Sequence, residues 1–369
     1  MPFLAAYKAK DEYVGKAIAT MLTLFFDSTA WIWQYTQPEL YKELEGIVAG
    51  INDPDFTVAH AVYTNACYEI VAWCTSIIAK QANGEIIHAR NLDYGFEDLM
   101  RALTFRAHYK QNGEFIFDAV MFAGVAGVYT GEKEKAFSIS QDTRSFDKNP
   151  LGLVENFLML YAGFTQNSML IRQTLTKCNN YDCAFNHLAY KPMPSYGYNI
   201  VAGTKGDEGA VISRNRFGAA HIDKLDSANG KWFLVQTNSD EWKPDGYQTG
   251  CTDRCAAATA SMNAVGQANI NLETIRSKVL LVYPVLNEHT LYNTEFDPKV
   301  GYIETDPEDY TPSAADLAGP YKNDQPADMK TVLTPVHEAY CMFRPVIDPV
   351  LHTLKMIGKL TEFTQMTMF

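Results

Sequence analysis

The chain of 369 residues carries 47% hydrophobic and 12% aromatic residues, enough for a packed core and incompatible with intrinsic disorder. A formal net charge of −12 with no Lys/Arg-rich run excludes a phosphate-tracking surface, so nucleic acid is not an expected partner. The same charge repels anionic membranes at neutral pH but fades near the sequence pI of about 5.1, so peripheral membrane contact would belong to an acidic compartment.

The start, MPFLAAYKAKDEY, has no apolar signal core, the run 17–26 is too short to span a bilayer, and no Asn-X-Ser/Thr sequon occurs. Helical spacing recurs over residues 1–50, at Ile18, Met21, Leu22 and Phe25 and again at Leu40, Leu44 and Ile47 after Pro38. The aromatic residues Phe25, Phe26, Trp31, Trp33 and Tyr35 read as ordinary core or as a lipid-facing lip. After a turn at Asn52–Pro54, residues 58–71 continue as helix or extended chain.

Residues 71–94, VAWCTSIIAKQANGEIIHARNLDY, predict a β-hairpin turning at Asn83 and Gly84. A second hairpin is expected from 103–109 and 115–122 around Asn112-Gly113, and a further strand at 136–140. Helical periodicity occupies 150–190. Strands return at 198–202, 209–213 and 232–236, helices at 252–265 and 272–281, and strands at 289–294 and 300–304. Such blocks suggest two sheets between helical layers, followed by a Pro- and acid-rich linker at 304–326 and a helical tail over 332–363.

Seven cysteines form no dense framework, and an odd number leaves at least one thiol unpaired in a monomer. Cys178 with Cys183 and Cys251 with Cys255 come nearest to metal-ligand spacing, but neither pair makes a CxxC and no HxxxH partner follows, so no metal is expected. Cys74 is the informative one. Alone it reads as a buried small hydrophobe, but the hairpin returns Arg90 and Asp93 toward it, and a thiol beside a guanidinium and a carboxylate is a candidate nucleophile. Taken without Cys74, Arg90 and Asp93 would be a surface ion pair.

WCTSIIAKQANGEIIHARNLDYGF resembles the opening of the catalytic subunit in the N-acylethanolamine-hydrolysing acid amidase and acid ceramidase family. These are cysteine N-terminal nucleophile hydrolases related to choloylglycine hydrolases. GVYTG (127–131), EGAVISRNR (208–216), WFLVQTNSDEWKPD (232–245), DR (253–254) and PVLNEHTLYNTEF (284–296) extend the resemblance in collinear order over 38–305. NAVGQANINLE (263–273) and RNLDY (90–94) look nearer the acylethanolamine amidase.

The resemblance implies an α+β fold, an αββα sandwich with an added helical N-terminal subunit and a C-terminal helical extension. It divides the chain into a 1–73 segment, a 74–312 catalytic core and a 313–369 extension. It implies autocleavage between Trp73 and Cys74, giving an α/β heterodimer from one precursor, and no cofactor. Cys74 would be the nucleophile and its freed amine the base; Arg90 would stabilise the thiolate, Asp93 hold the amine, Asn238 stabilise the oxyanion, and Arg254 fix the other groups. Without the resemblance, Asn238 is a turn asparagine and Arg254 a solvated helix arginine.

Thr143 departs from the family, whose glutamate there supports processing or the site. The tail beyond about 312 is a second departure; its apolar positions suit packing on the body, lipid contact or a dimer. The implied substrate is a lipid amide, an N-acylethanolamine first and ceramide as the alternative. A third option is an uncut, silent lipid-binding protein. A papain-like protease is disfavoured because none of the eight histidines sits in a partner motif. Relatives imply a lysosome-like compartment, whereas the missing signal and sequon point to the cytoplasm.

Overall fold

A computed structural model of the chain describes residues 29–323 apart from 55, 68–71, 96, 145–150, 244–248 and 309. The apolar positions expected before residue 29 and the tail helix expected over 332–363 lie outside the described residues. What is described falls into two compact units, one within 1–63 and 149–163 and the other within 64–148 and 164–327.

In the first unit the helix Pro38–Ile51 starts with proline at its first position and ends at Asn52, whose left-handed φ of 50° closes the expected turn. Leu40 and Leu44, one turn apart, are buried there. Trp33 is fully buried with its ring edge toward Tyr161, and Thr29 Oγ1 and the Tyr161 hydroxyl lie 2.6 Å apart. Tyr161 closes the helix Leu151–Tyr161. Trp33 is therefore core, whereas Tyr35 is 56% exposed; Phe25 and Phe26 lie outside the described residues.

The second unit carries twelve strands: β1 (Ala72–Lys80), β2 (Ile86–Tyr94), β3 (Thr104–Gln111), β4 (Glu114–Phe122), β5 (Thr130–Lys133), β6 (Phe137–Asp142), β7 (Gly197–Ala202), β8 (Gly209–Asn215), β9 (Gly218–Lys224), β10 (Phe233–Gln236), β11 (Thr290–Asp297) and β12 (Tyr302–Pro307). They form two antiparallel sheets, ordered β10-β1-β2-β11-β12 and β3 through β9 in succession. Both predicted hairpins are present, and Asn112 and Gly113 take the pair of positive φ values that a two-residue turn demands.

Three apolar layers bind these sheets. Ile78 and Ile86 of one sheet meet Tyr198, Ile200 and Val211 of the other in the central layer. Phe137, Ile139 and Ile212 pack outward on the helices Asn167–Lys177 and Tyr181–Tyr190. Ile77, Ala79, Ile87 and Ala89 pack outward on the helix Asp253–Val265 and the residues after it. The order helix, sheet, sheet, helix is the αββα sandwich expected from the sequence. β1 and β2 are covered on both faces and buried along nearly their whole length, including the polar residues Ser76, His88, Arg90 and Asp93.

Three details differ from expectation. β5 and β9 were not foreseen: one is four residues long, and the other, GAAHIDK, mixes polar residues on a half-exposed edge. The stretch expected as linker begins inside β12 and includes a short helix, Ala314–Ala318, capped by Ser313. The two cysteine pairs nearest to metal-ligand spacing are disulfides, Cys178–Cys183 and Cys251–Cys255.

Candidate active site

β1 and β2 pair so that Trp73 faces Asp93, Cys74 faces Leu92 and Ser76 faces Arg90. Side chains alternate across a strand, so Cys74 and Arg90 share the inner face as diagonal neighbours. Arg90 Nη2 donates to Cys74 Sγ at 2.8 Å, while Nη1 donates to the Tyr129 carbonyl at 3.0 Å and to Thr130 Oγ1 at 2.7 Å. Both side chains are buried, and Cys74 is a free thiol.

β10 lies on the other side of β1, with Gln236 opposite Ser76, and the chain leaving it carries Asn238 alongside Cys74. The Cys74 backbone N–H donates to Asn238 Oδ1 at 2.9 Å, and Asn238 Nδ2 donates to the Thr143 carbonyl at 2.7 Å. Arg254 arrives from the first turn of the helix Asp253–Val265. Its fork grips two acceptors at once, the Cys74 carbonyl from Nη1 at 2.7 Å and Asn238 Oδ1 from Nη2 at 2.9 Å.

Asp93 belongs to the opposite face of β2, where it accepts from Thr290 Oγ1 at 2.7 Å and Asn287 Nδ2 at 3.1 Å. It reaches the site through Arg254, whose Nη1 lies 3.6 Å from its Oδ2. The structure thus gathers Cys74, Arg90, Asn238 and Arg254 directly, Asp93 through Arg254, and Thr143 through its main chain. The Thr143 contact to Asn238 uses a carbonyl that any residue would supply.

Sequence reasoning missed a polar seam between the sheets. Ser76 Oγ donates to Asp142 Oδ1 at 2.8 Å and lies 2.9 Å from Ser140 Oγ. His88 sits between Ser138 and Ser140 at 2.9 Å from each. Since the Ser76 hydrogen goes to Asp142, each preceding group must donate onward, from Ser138 through His88 and Ser140 to Ser76. Asp142 Oδ1 is also 3.6 Å from Arg90 Nη2, so the seam ends beside the thiol. The spacing 138, 140, 142 on one strand face was the available signal.

Burial sets the proton affinities. It pushes the Cys74 thiol far up; Arg90 and Arg254 oppose the shift, and Asp142 and Asp93 reinforce it. Asp142 is raised by burial to about 7 against the pull of Arg90, and His88 is lowered by burial and by Arg90 to about 3. Burial therefore favours the protonated form of the Cys74 thiol.

No family model matches the chain, but individual proteins do. The N-acylethanolamine-hydrolyzing acid amidase of Cavia porcellus is 40% identical over 285 residues, 77% of this chain and 74% of that one. The acid ceramidase of Homo sapiens is 32% identical over 282 residues, 72% and 68% of the respective chains. The chain belongs to the family of these two enzymes. The solved structure of a Caenorhabditis elegans N-acylethanolamine-hydrolyzing acid amidase ortholog superposes with a TM-score of 0.56 at 33% identity, over 62% of this chain and 94% of that one. Within this family the two-sheet core is the N-terminal nucleophile hydrolase fold.

Proposed function

We propose that this member of the amide-hydrolase family cuts itself between Trp73 and Cys74 and then hydrolyses a lipid amide, an N-acylethanolamine, to a fatty acid and ethanolamine. The observation that carries the proposal is the convergence on Cys74 of Arg90 at its sulfur, Asn238 at its nitrogen and Arg254 at its carbonyl. Higher identity to the amidase than to the ceramidase, 40% against 32%, supports the choice of substrate.

In self-cleavage the Cys74 sulfur attacks the Trp73 carbonyl carbon; a C–S bond forms, the C–N bond breaks, and the thiol proton passes to the departing nitrogen. Water hydrolyses the thioester, leaving a carboxylate on Trp73 and a free thiol and amine on Cys74. Residues 1–73 and 74–369 become the two subunits. The new amine, of ordinary pKa about 7.7 to 8.0 and lowered by neighbouring guanidinium charge, takes the thiol proton. Arg90 stabilises the thiolate, Arg254 with Asp93 holds the amine in place, and the second N–H of Asn238 faces the oxyanion of the tetrahedral intermediate.

The acyl chain is bound by burial of its CH2 groups at about 0.8 kcal/mol each, which fits a lipid rather than a peptide amide. Near pH 5 the loss of net negative charge favours peripheral contact with the membrane that carries such a substrate. A substrate panel tests the proposal. Wild type should hydrolyse a saturated N-acylethanolamine faster than a ceramide, and Cys74→Ala should hydrolyse neither; faster ceramide turnover would reverse the choice of substrate.

A further inference from the structure

The two hydrogens on Asn238 Nδ2 lie in one plane at a fixed angle, so whatever bonds one of them aims the other. One goes to the Thr143 carbonyl at 2.7 Å, and the second is the one that faces the oxyanion in the function proposed above. Thr143 lies just beyond β6 of one sheet and Asn238 just beyond β10 of the other, so their bond spans the two sheets. Arg144 and Asp240, one and two residues further on, span them again. Arg144 Nε and Nη2 donate side by side to Asp240 Oδ1 and Oδ2 at 2.7 Å each. Arg144 Nη1 donates to the Arg214 carbonyl and to Asn215 Oδ1 at the end of β8, both at 2.9 Å, and the Tyr198 hydroxyl of β7 donates to Asp240 Oδ1 at 2.8 Å. Both members of the pair are buried. Burial alone would raise the Asp240 carboxyl, but its bonds from Arg144, Lys243 and Tyr198 hold it at about 2, so the pair stays charged in mild acid.

We propose that Arg144 and Asp240 are a pair of positioning residues, a clamp between the two sheets that aims the Asn238 amide at the oxyanion. This rests on the function proposed above. Asn238 Oδ1 is held from the first-sheet side by the Cys74 N–H and by Arg254. Gln236 Nε2 donates to the Thr237 and Ser239 carbonyls at 2.9 and 3.0 Å, which ties the loop to itself and not to the other sheet. Without the clamp, the oxygen end of the amide keeps its two donors, while the nitrogen end loses the support that keeps the Thr143 carbonyl in front of it. A donor aimed at charge that develops only in the transition state then loses its alignment, and the bound substrate loses nothing.

The test is a double-mutant cycle in the full chain. Arg144→Lys keeps the charge but not the fork, Asp240→Asn keeps the shape but not the charge, and each is made alone and beside Asn238→Ala. Steady-state hydrolysis of an N-acylethanolamine is measured for all of them. Alone, each should lower kcat about tenfold or more with KM within about twofold. Beside Asn238→Ala, each should lower kcat by less than about twofold further, because the group that the clamp positions is gone. An unchanged kcat in the single variants, or the same fold loss in both backgrounds as general unfolding would give, overturns the clamp. A second readout is independent of activity. The side-chain N–H pair of Asn238, seen by NMR with isotope-labelled asparagine and identified by its loss in Asn238→Ala, should exchange with solvent about tenfold faster or more in Arg144→Lys than in wild type. Equal exchange also overturns the clamp. If the wild type shows no turnover that depends on Cys74, it is the proposed function that fails, and the exchange still decides the clamp.

Discussion

Two opposing influences act on the Cys74 sulfur. Burial holds its proton tightly, while the Arg90 N–H at 2.8 Å favours the thiolate. Replacing Arg90 by methionine keeps the bulk, removes the charge, and should lower kcat about 100-fold or more; a loss under about tenfold would show that the guanidinium is packing only. Asn238→Ala should lower kcat about 100- to 1,000-fold with little change in KM, because an oxyanion donor acts in the transition state; a loss confined to KM would assign Asn238 to substrate binding. Cys74, Arg90, Asn238 and Arg254 were legible because each lies in a segment that resembles the family. Asp142 was not, because FSISQD reads as a strand with one solvated face, whereas Ser138, Ser140 and Asp142 are buried against Ser76 and His88. Polar alternation ordinarily marks exposure, and here it marks the seam between two sheets.

At the scale of elements, two glycines of GVYTG explain why that segment resists side chains. A Cβ on Gly127 would lie 2.5 Å from Ser168 Cβ, and one on Gly131 would lie 2.7 Å from Leu175 Cδ1 and 3.1 Å from the Asp118 carbonyl. Ser168 and Leu175 are on the helix Asn167–Lys177, so these glycines let that helix lie close against β5. Gly127→Ala should destabilise the fold by about 1 to 3 kcal/mol, read from the urea midpoint, and an unchanged midpoint would mean that the helix shifts freely. The hairpins were legible from their Asn-Gly turns. β5 was hidden because four residues give too little pattern, and its pairing comes from β4 and β6 on either side.

The whole molecule keeps an unusual set of carboxyls out of water. Burial raises Asp142 to about 7, Glu132 to about 9, and Glu241 and Glu295 to about 8 each. In the unfolded chain each ionises near pKa 4, so from about pH 4 upward unfolding releases their protons and stability falls as pH rises toward the folded values. His88 and His187, held at about 3 and about 4, act oppositely below about pH 6.5, where only the unfolded imidazoles take up protons. The carboxyls outnumber the imidazoles over the wider window. The melting midpoint should therefore be higher near about pH 5 than near about pH 8, and Glu132→Gln should narrow the gap; a midpoint that rises with pH would refute the assignment.

The proposed scissile bond, between Trp73 and Cys74, lies inside β1, in register with β2, rather than in a loop, so the proposed nucleophile is placed by the same ladder that holds its neighbours. Intact-mass measurement and N-terminal sequencing of the wild-type chain beside Cys74→Ala, after incubation near about pH 5, test that arrangement most directly. The account predicts that the 41.4 kDa wild-type chain divides into 1–73 and a fragment beginning Cys-Thr-Ser, while Cys74→Ala stays whole. A wild-type chain that remains intact, with amide turnover equal to that of Cys74→Ala, would contradict it.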